Sequence, residues 1–167
     1  FTLGGVAVPT TAAVLAPTLN TADKSTVSGS STNGGSSSTS STLTTSVDNV
    51  VGTSGNDTFN AALSAGADTF TSLDAIDGGA GNDTLNIVSL GGALTTAIGS
   101  TVTNVETVNL ISAAAITAAD ISTWTGVQTL KVTSALAIAG VKASSTSDIT
   151  VTNALAGVAA NGGNNIT

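Results

Sequence analysis

The chain of 167 residues contains no cysteine, histidine, methionine or tyrosine. Without cysteine and histidine it cannot form a thiol nucleophile, a Ser-His-Asp triad, or a zinc or haem site built from those ligands. Glu106 is the only glutamate, and one glutamate without a placed partner does not make the carboxylate pair of a glycosidase. We expect Glu106 to be exposed on a face of the fold, and we predict that the protein is not an enzyme.

Basic side chains are also scarce, because Lys24, Lys131 and Lys142 are the only cations. Three lysines cannot form a basic patch, which argues against nucleic acid or an anionic lipid surface as a partner. No run of about 18 apolar residues occurs, so we expect no membrane span. The net charge of −7 comes from ten acidic residues, six of which are close in sequence: Asp48, Asp57, Asp68, Asp74, Asp77 and Asp83.

The first 44 residues differ in composition from the rest of the chain. Residues 1–24 contain Pro9 and Pro17, which disfavour a helix and predict extended segments. Residues 25–44 are rich in Ser, Thr and Gly, which is typical of a flexible linker. A sugar-bearing segment and an ordered edge strand that docks on a neighbour are the alternatives.

Internal repeats begin at Thr45. The stretch TSVDNVVGTSGNDTFN (45–60) aligns without a gap on TSLDAIDGGAGNDTLN (71–86), and nine of the sixteen positions are identical. The second half of the chain repeats at a shorter spacing, since 103–116 aligns on 125–138 and 130–137 on 149–156. Periods of about 20 to 50 residues are typical of stacked repeats.

Each repeat alternates Val, Leu or Ile with polar residues, between corners made of Ala, Ser, Thr, Asn and Gly. This pattern predicts an all-β fold in which short strands stack as the coils of a β-solenoid. A β-sandwich is the alternative, but the Asn-Gly hairpin signals lie outside the repeats. We also allow one short helical turn over 117–126, in which Trp124 plugs the core or a coil edge.

We divide the chain into an extended segment (1–44), coils with the paired turns (45–90) and further coils (91–167), and expect a fragment of a longer protein.

The paired repeats each carry a Gly-x-x-Gly-Asn-Asp turn, at 52–57 and 78–83. Stacked at a strand spacing of about 4.8 Å, the two turns would bring Asp57 and Asp83 together. Two such charges about 5 Å apart repel by roughly 3 kcal/mol at an effective dielectric near 20. A hard divalent cation reverses that penalty, and calcium accepts both carboxylates and the backbone carbonyls that Gly-rich turns present.

The turns also resemble a known motif. GGAGNDTLN (78–86) matches the nonapeptide G-G-x-G-x-D-x-U-x of RTX proteins at every fixed position, and GTSGNDTFN (52–60) departs from it only at Thr53. Over residues 43–135, the order of motifs resembles RTX-type, Caulobacter-like bacterial surface-layer (S-layer) proteins where their calcium-binding β-solenoid begins. RTX β-rolls stack two nonapeptides per coil, whereas the wide separation of the two turns here requires one oversized coil and leaves room for few calcium ions.

The resemblance implies a parallel β-helix or β-roll-like fold that binds Ca²⁺. It implies that the ligands are the carboxylates of Asp57 and Asp83 and the carbonyls of the turn glycines, Gly52, Gly55, Gly78 and Gly81. Three aspartates precede the turns and are candidate ligands for the neighbouring coil: Asp48, Asp74 and Asp77.

For function, the resemblance implies a structural component of a secreted bacterial surface assembly that folds and assembles with calcium. A repeat module of a large RTX adhesin is the alternative, and the RTX domain of an enzyme fits less well because no catalytic constellation is present. We therefore expect type I secretion, an extracellular location on the bacterial cell surface, and self-association into a homo-oligomer or lattice. Cell-surface polysaccharide is a further expected partner.

Overall fold

The computed structural model describes residues 37–92, 94–95, 99–153 and 158–167. Our predictions for residues 1–36 fall outside this range. The strands, in chain order, are β1 (Ser40–Thr42), β2 (Asn49–Val51), β3 (Thr58–Leu63), β4 (Ala75–Asp77), β5 (Thr84–Ser89), β6 (Leu94–Thr95), β7 (Thr101–Thr103), β8 (Thr107–Ser112), β9 (Ile116–Asp120), β10 (Thr129–Ser134), β11 (Ile138–Lys142), β12 (Asp148–Asn153), β13 (Val158–Asn161) and β14 (Asn165–Ile166). The part of the chain that the structure describes holds no helix long and apolar enough to cross a membrane.

The strands form three parallel sheets around one core. The first sheet has seven strands in the order β1-β3-β5-β8-β10-β12-β14, the second has four in the order β13-β11-β9-β6, and the third has three in the order β2-β4-β7. The chain passes from sheet to sheet and returns, so that each circuit adds one strand to the seven-stranded sheet. This confirms the predicted all-β solenoid and excludes the β-sandwich, whose hairpins would pair strands antiparallel.

The strand register reproduces the spacing of the sequence repeats. In the seven-stranded sheet Thr58 pairs with Thr84, and Thr84 pairs with Thr107 on the next coil. Thr107 then pairs with Thr129, and Thr129 with Asp148. The number of residues between one pairing partner and the next decreases at each of these four steps. The internal duplications are therefore successive coils. The coils shorten from Thr58 onward, whereas the first step, from Ser40 to Thr58, is itself short.

The core is a set of stacked apolar columns. One column of the seven-stranded sheet is fully buried and consists of Phe59, Leu85, Val108, Leu130 and Ile149. Because neighbouring residues along a strand face opposite sides, each inward residue is followed by an outward polar one. Burying each of these side chains contributes about 1.5–3 kcal/mol, so stacking stabilises coils that could not fold alone.

The helical turn that we allowed over 117–126 is wrong. Its first residues belong to strand β9, which pairs with β11 and turns Ile116 and Ala119 inward. The parallel ladder and the core contacts outweigh a weak local helix signal. The expectation for Trp124 is confirmed, since it is 4% exposed and meets Phe70 edge-to-face, with ring centroids 5.7 Å apart.

The first coil begins inside the Ser/Thr/Gly-rich segment. Strand β1 pairs with β3 of the same chain, and the Leu43 amide extends this ladder by donating to the Asn60 carbonyl at 2.9 Å. Leu43 is 2% exposed and anchors β1 in the core. The last part of this segment is thus an edge strand that docks on its own chain.

Candidate metal centre

The two Gly-x-x-Gly-Asn-Asp turns occupy the same corner of the solenoid on adjacent coils. Residues 52–57, the first turn, join β2 to β3, and residues 78–83, the second turn, join β4 to β5. Each turn therefore connects the three-stranded sheet to the seven-stranded sheet. On the next coil, residues 104–106 occupy this corner between β7 and β8. The prediction that turn stacks on turn is confirmed.

Direct hydrogen bonds hold the two turns together. The Ala80 amide donates to the Thr53 carbonyl at 3.2 Å, and the Asn82 amide donates to Asn56 Oδ1 at 2.9 Å. The amide of Gly52 donates to the Asp77 carbonyl at 2.7 Å. In the first turn, the asparagine of the motif thus links two coils through its side chain.

Glycine is required at the start of each turn because the next coil passes very close. A Cβ on Gly78 would lie 1.8 Å from the Asn104 carbonyl oxygen and 2.6 Å from Asp83 Oδ2. A Cβ on Gly52 would likewise lie 2.0 Å from the Gly78 carbonyl oxygen and 2.6 Å from Asp57 Oδ2. In both turns, a backbone carbonyl oxygen and a carboxylate oxygen approach the first glycine of the turn.

Three acidic side chains form a ladder along this corner. Each carboxylate accepts a hydrogen bond from a backbone amide on the preceding coil. The Thr39 amide donates to Asp57 Oδ1 at 2.6 Å, the Asp57 amide to Asp83 Oδ1 at 2.7 Å, and the Asp83 amide to Glu106 Oε2 at 2.7 Å. Bonds of this kind, from a backbone amide to an ionised carboxylate, are short and strong.

Glu106 is the third member of this ladder, and our expectation that it is exposed on a coil face is wrong. Its side chain is half-buried and holds the second turn through the Asp83 amide. The sequence carried a signal for this role, because an acid followed by Thr, an apolar residue and Asn occurs at 57–60, 83–86 and 106–109.

The carboxylate of Asp57 is fully occupied by protein donors. Besides the Thr39 amide, Oδ1 accepts the Thr39 hydroxyl at 2.8 Å, and Oδ2 accepts the amide and, at 3.0 Å, the hydroxyl of Thr53. Burial by itself would raise the pKa of Asp57, but the hydrogen bonds from Thr53 and Thr39 outweigh it, so the pKa is lowered.

The carboxylate of Asp83 is not satisfied in the same way. Asp83 is 1% exposed. Its Oδ2 atom is buried and has no hydrogen-bond partner among the described residues. Burial raises the pKa of Asp83, the Asp57 amide opposes that change, and the charges of Glu106, Asp57 and Asp77 add to it, so the net direction is upward. A buried, unpartnered anionic oxygen is costly.

The difference between the two aspartates arises from one position in the motif. Residue 53 is threonine, whereas the equivalent residue 79 is a glycine with φ of +91°. Gly79 has no hydroxyl, and its amide donates to Asp77 Oδ1 at 3.1 Å rather than to Asp83. Asp77 Oδ1 also accepts the Asn104 side-chain amide at 2.8 Å.

Asp48 and Asp74 lie at the other end of β2 and β4, away from the two turns. The Thr44 amide donates to Asp48 Oδ2 at 2.7 Å, and the Thr71 amide donates to Asp74 Oδ2 at 2.6 Å. The Asp48 amide donates to Asp74 Oδ1 at 2.9 Å, which links the two coils. Both side chains are buried. The structure therefore brings Asp57 and Asp83 to one corner, and places Asp48 and Asp74 at another.

The second turn fits a hard cation better than the first. In the described residues no three acidic side chains converge on a common point, so a cation at this corner would need backbone carbonyls as well as carboxylate. Asp83 Oδ2 and the Asn104 carbonyl oxygen both approach Gly78, as Asp57 Oδ2 and the Gly78 carbonyl oxygen approach Gly52. What distinguishes the second turn is that Asp83 Oδ2 has no hydrogen-bond partner among the described residues. The Gly55 carbonyl oxygen faces Gly81, 2.4 Å from the position of a Cβ there. Carboxylate and carbonyl oxygens are the ligands that calcium prefers.

Comparison with known proteins does not assign the chain to a family. No protein-family model matches the chain, and no curated protein matches it either.

The contrast between Asp57 and Asp83 predicts opposite effects in calcium-free buffer. Asp57→Asn should destabilise the fold by about 2 kcal/mol, because it replaces an acceptor of charge-assisted bonds and turns an amide toward the Thr53 donors. Asp83→Asn should be neutral or stabilising by up to about 1 kcal/mol, since it removes a buried charge near three others. Urea unfolding of both variants in a chelator checks this, and equal destabilisation by the two changes would contradict it.

The pH dependence of the calcium-free protein follows from the same pair. Because the folded pKa of Asp57 lies below its ordinary value of 3.8, its stabilisation is present above that pH and is lost as pH falls through the lowered pKa. The raised pKa of Asp83 has the opposite sign, so its ionisation weakens the fold as pH rises past 3.8. Unfolding curves between pH 3 and 7 should therefore show a steeper acid loss for Asp83→Asn, which keeps only the Asp57 contribution.

Proposed function

We propose that this chain is a calcium-stabilised β-solenoid module of a secreted bacterial surface assembly of the S-layer type. The observation that carries the proposal is the buried, unpartnered Oδ2 of Asp83, in a Gly-Gly-Ala-Gly-Asn-Asp turn that is stacked on a second turn of the same kind. The solenoid fold is compatible with this function without being specific to it, so the proposal depends on the chemistry of the corner.

Calcium would supply positive charge at a corner where the carboxylates of Asp57, Asp83 and Glu106 follow one another and are buried or half-buried. Asp83 Oδ2 would be its carboxylate ligand, with carbonyl oxygens of the turn backbone completing the shell. Asp57 and Glu106 lie on either side of Asp83 in the ladder, and their charges would be compensated without direct contact. A cation at Asp83 would therefore stabilise three coils at once.

Calcium dependence suits a protein that folds after export. An unligated chain carries uncompensated repulsion at this corner, so it stays less stable where calcium is scarce. Outside the cell, calcium binding would add its free energy to folding. We propose type I secretion, the route that the resemblance of the two turns to RTX proteins implies.

The proposal is tested by titrating calcium into the chelated 167-residue chain by calorimetry, with far-ultraviolet circular dichroism in parallel. We expect one ion per chain with a Kd of about 10⁻⁴ to 10⁻³ M, the range of extracellular calcium modules, and a gain of β signal or thermal stability. Magnesium is the matched control, since it demands a smaller octahedral shell. Absence of both heat and stabilisation in millimolar calcium would contradict the proposal.

Self-association is the second element of the proposed function. Of the described strands, β1 and β14 are the outermost strands of the seven-stranded sheet, and β2 is the outermost strand of the three-stranded sheet at the first coil. Strand edges of this kind offer backbone groups to another chain. We expect sedimentation in millimolar calcium to show oligomers that dissociate in chelator. A monomer at high concentration in both buffers would count against an assembly role.

The outer face of the seven-stranded sheet supports polysaccharide as a second proposed partner. Its hydroxyl and amide side chains form two columns, Thr58, Thr84, Thr107 and Thr129 beside Asn60, Asn86 and Asn109. The asparagines bond to each other, at 2.9 Å from Asn86 to Asn60 and 2.7 Å from Asn109 to Asn86. These two columns carry no charge from β3 to β8, before they continue with Lys131 and Asp148. The uncharged part of the array suits a neutral, hydroxyl-rich polymer. Imaging the native cell surface separates a lattice from an adhesin, because only an S-layer forms a regular two-dimensional array.

A further inference from the structure

One corner of the solenoid carries no charge. It is formed by the turns that lead from the seven-stranded sheet toward the four-stranded sheet, residues 89–92, 112–115 and 134–137, which we call the serine corner. These turns contain no acidic or basic residue. Asp68 lies in the loop after β3, two strands away from β8 in the sheet, and the two sets of stacked aspartates lie at other corners.

Buried serines fix the backbone of this corner. Ser89, Ser112 and Ser134 are buried and pair with one another in register. Ser134 Oγ donates to the Ala114 carbonyl at 2.8 Å and accepts the Leu136 amide at 3.1 Å, and Ser112 Oγ accepts the Ala114 amide at 3.1 Å. Because these serines satisfy backbone groups from the inside, the corner needs no polar side chain on its outer surface.

The outer surface of the serine corner holds an apolar groove. The groove is open, has a volume of about 470 Å³, and is lined by the ends of β8 and β10 with the alanines that follow them, together with Thr152: Ile111, Ser112, Ala113, Thr133, Ser134 and Ala135. Leu136 follows the groove in sequence and is 43% exposed, while Ile111 is 41% and Leu90 65% exposed. Exposed aliphatic side chains that are contiguous, unlike scattered ones, mark a contact surface.

We propose that the serine corner is a contact between two copies of this chain, related by a two-fold axis, in which Leu136 of each copy enters the groove of the other. A two-fold contact requires a surface that is complementary to itself. This corner meets that requirement, since an exposed leucine adjoins a groove whose alanines leave room for a larger side chain. The inference rests on the proposed self-association, and it adds a lateral contact that uses no strand edge.

The distribution of charge favours a second copy at this corner. The chain has a net charge of −7, so two copies repel each other wherever their acids face one another. The outer face of the four-stranded sheet continues the uncharged surface beyond the corner through small exposed residues: Thr117, Ala118, Ala139, Gly140 and Ala159. At the far end of this face Lys142 pairs with Asp120 at 3.2 Å.

This continuity also supplies the area that a stable pair needs. Specific interfaces bury about 800 Å² on each partner, which is more than three exposed aliphatic side chains can provide. The corner and the adjoining face of the four-stranded sheet together offer a wider surface without bringing acidic residues together. The small side chains of that face allow close approach.

The contact is tested by sedimentation of the 167-residue chain and of Leu136→Asp in millimolar calcium. A carboxylate carried into the apolar groove has no partner there, so the average mass of the oligomers should fall about twofold, as expected when a two-fold contact is lost. Leu73→Asp is the matched control, because Leu73 is 70% exposed and lies in the turn before β4, at another corner. It should associate like the parent chain, and both variants should bind calcium unchanged.

The absence of cysteine from the chain allows a second readout that does not depend on mass. Leu136→Cys and Ala113→Cys, carrying different affinity tags, should form a mixed disulfide under mild oxidation, because the contact places each Leu136 in the partner's groove. Leu73→Cys mixed with Ala113→Cys should form none. This readout decides the question if Leu136→Asp does not fold.

The outcomes distinguish this contact from the proposed function. If the parent chain forms oligomers, Leu136→Asp forms the same oligomers, and the cysteine variants do not cross-link, the inference is overturned while association through strand edges stands. If the parent chain binds calcium but stays monomeric, the proposed self-association and the inference fail together. A Leu136→Asp protein that keeps the parent mass but no longer binds cell-surface polysaccharide would assign the groove to that polymer and also overturn the inference.

Discussion

The Asp83→Asn variant should lose most of the calcium response, with an apparent affinity reduced at least about tenfold. Asparagine keeps the shape of the side chain, and its oxygen can still accept the Asp57 amide, which now donates to Asp83 Oδ1. What it removes is the negative charge on the buried oxygen that has no protein donor among the described residues. The loss should therefore appear in binding and not in the calcium-free fold. Calorimetric titration measures it directly.

Asp68→Asn is the control for this change. Asp68 is exposed and accepts the Ser64 amide at 2.7 Å, in a loop away from the corner. Removing the same unit of charge there should leave calcium affinity within about twofold, since exposed charges beyond a Debye length are screened. If Asp68→Asn and Asp83→Asn weaken binding equally, the effect of Asp83 is only net charge, and the candidate site is wrong.

The Gly78→Ala variant should be destabilised by about 3 kcal/mol or more, with or without calcium. The added methyl carbon would lie 1.8 Å from the Asn104 carbonyl oxygen, and that oxygen belongs to the backbone of the next coil. Relief requires the coils to move apart, which breaks the bond from the Gly78 amide to the Thr103 carbonyl, now 2.9 Å long. Thermal unfolding in chelator and in calcium checks this.

Gly91→Ala is the matched control, because a Cβ at Gly91 meets no atom of the described residues within 4 Å and the residue does not have a positive φ. Its stability should stay within about 0.5 kcal/mol of the parent chain, as expected for a surface change. A Gly78→Ala protein that unfolds at the parent temperature would show that the close approach between the second and third coils is not kept in solution.

The stacking of the two turns could be predicted from sequence because the duplication has no gap. A constant offset between the two copies means that one circuit brings Asp57 under Asp83, whatever the path of the loop between them. The register pair Thr58 and Thr84 confirms it. Likewise, the alternation of apolar and polar residues in the two aligned copies predicts inward positions for Phe59 and Leu85, and both are fully buried in one column.

The different positions and hydrogen-bond partners of the aspartates could not be predicted in this way. Proximity in sequence placed Asp48 and Asp74 beside the turns, but strands β2 and β4 hold them at the opposite corner, where Thr44 and Thr71 satisfy them. The contrast between Asp57 and Asp83 depends on where individual amide groups point. That direction follows from backbone conformation at residues 53 and 79, which residue type alone does not fix.

The two ends of the solenoid expose different combinations of sheets. At the first coil the outermost described strands are β1 and β2, from the seven-stranded and three-stranded sheets, whereas the last coil ends in β13 and β14, from the four-stranded and seven-stranded sheets. The circuit is short at both ends, because the steps from Ser40 to Thr58 and from Asp148 to Asn165 each contain far fewer residues than the step from Thr58 to Thr84. The three sheets of one molecule therefore cannot all continue into those of the next. In a head-to-tail contact between copies, only the seven-stranded sheet has a matching strand on both sides of the junction.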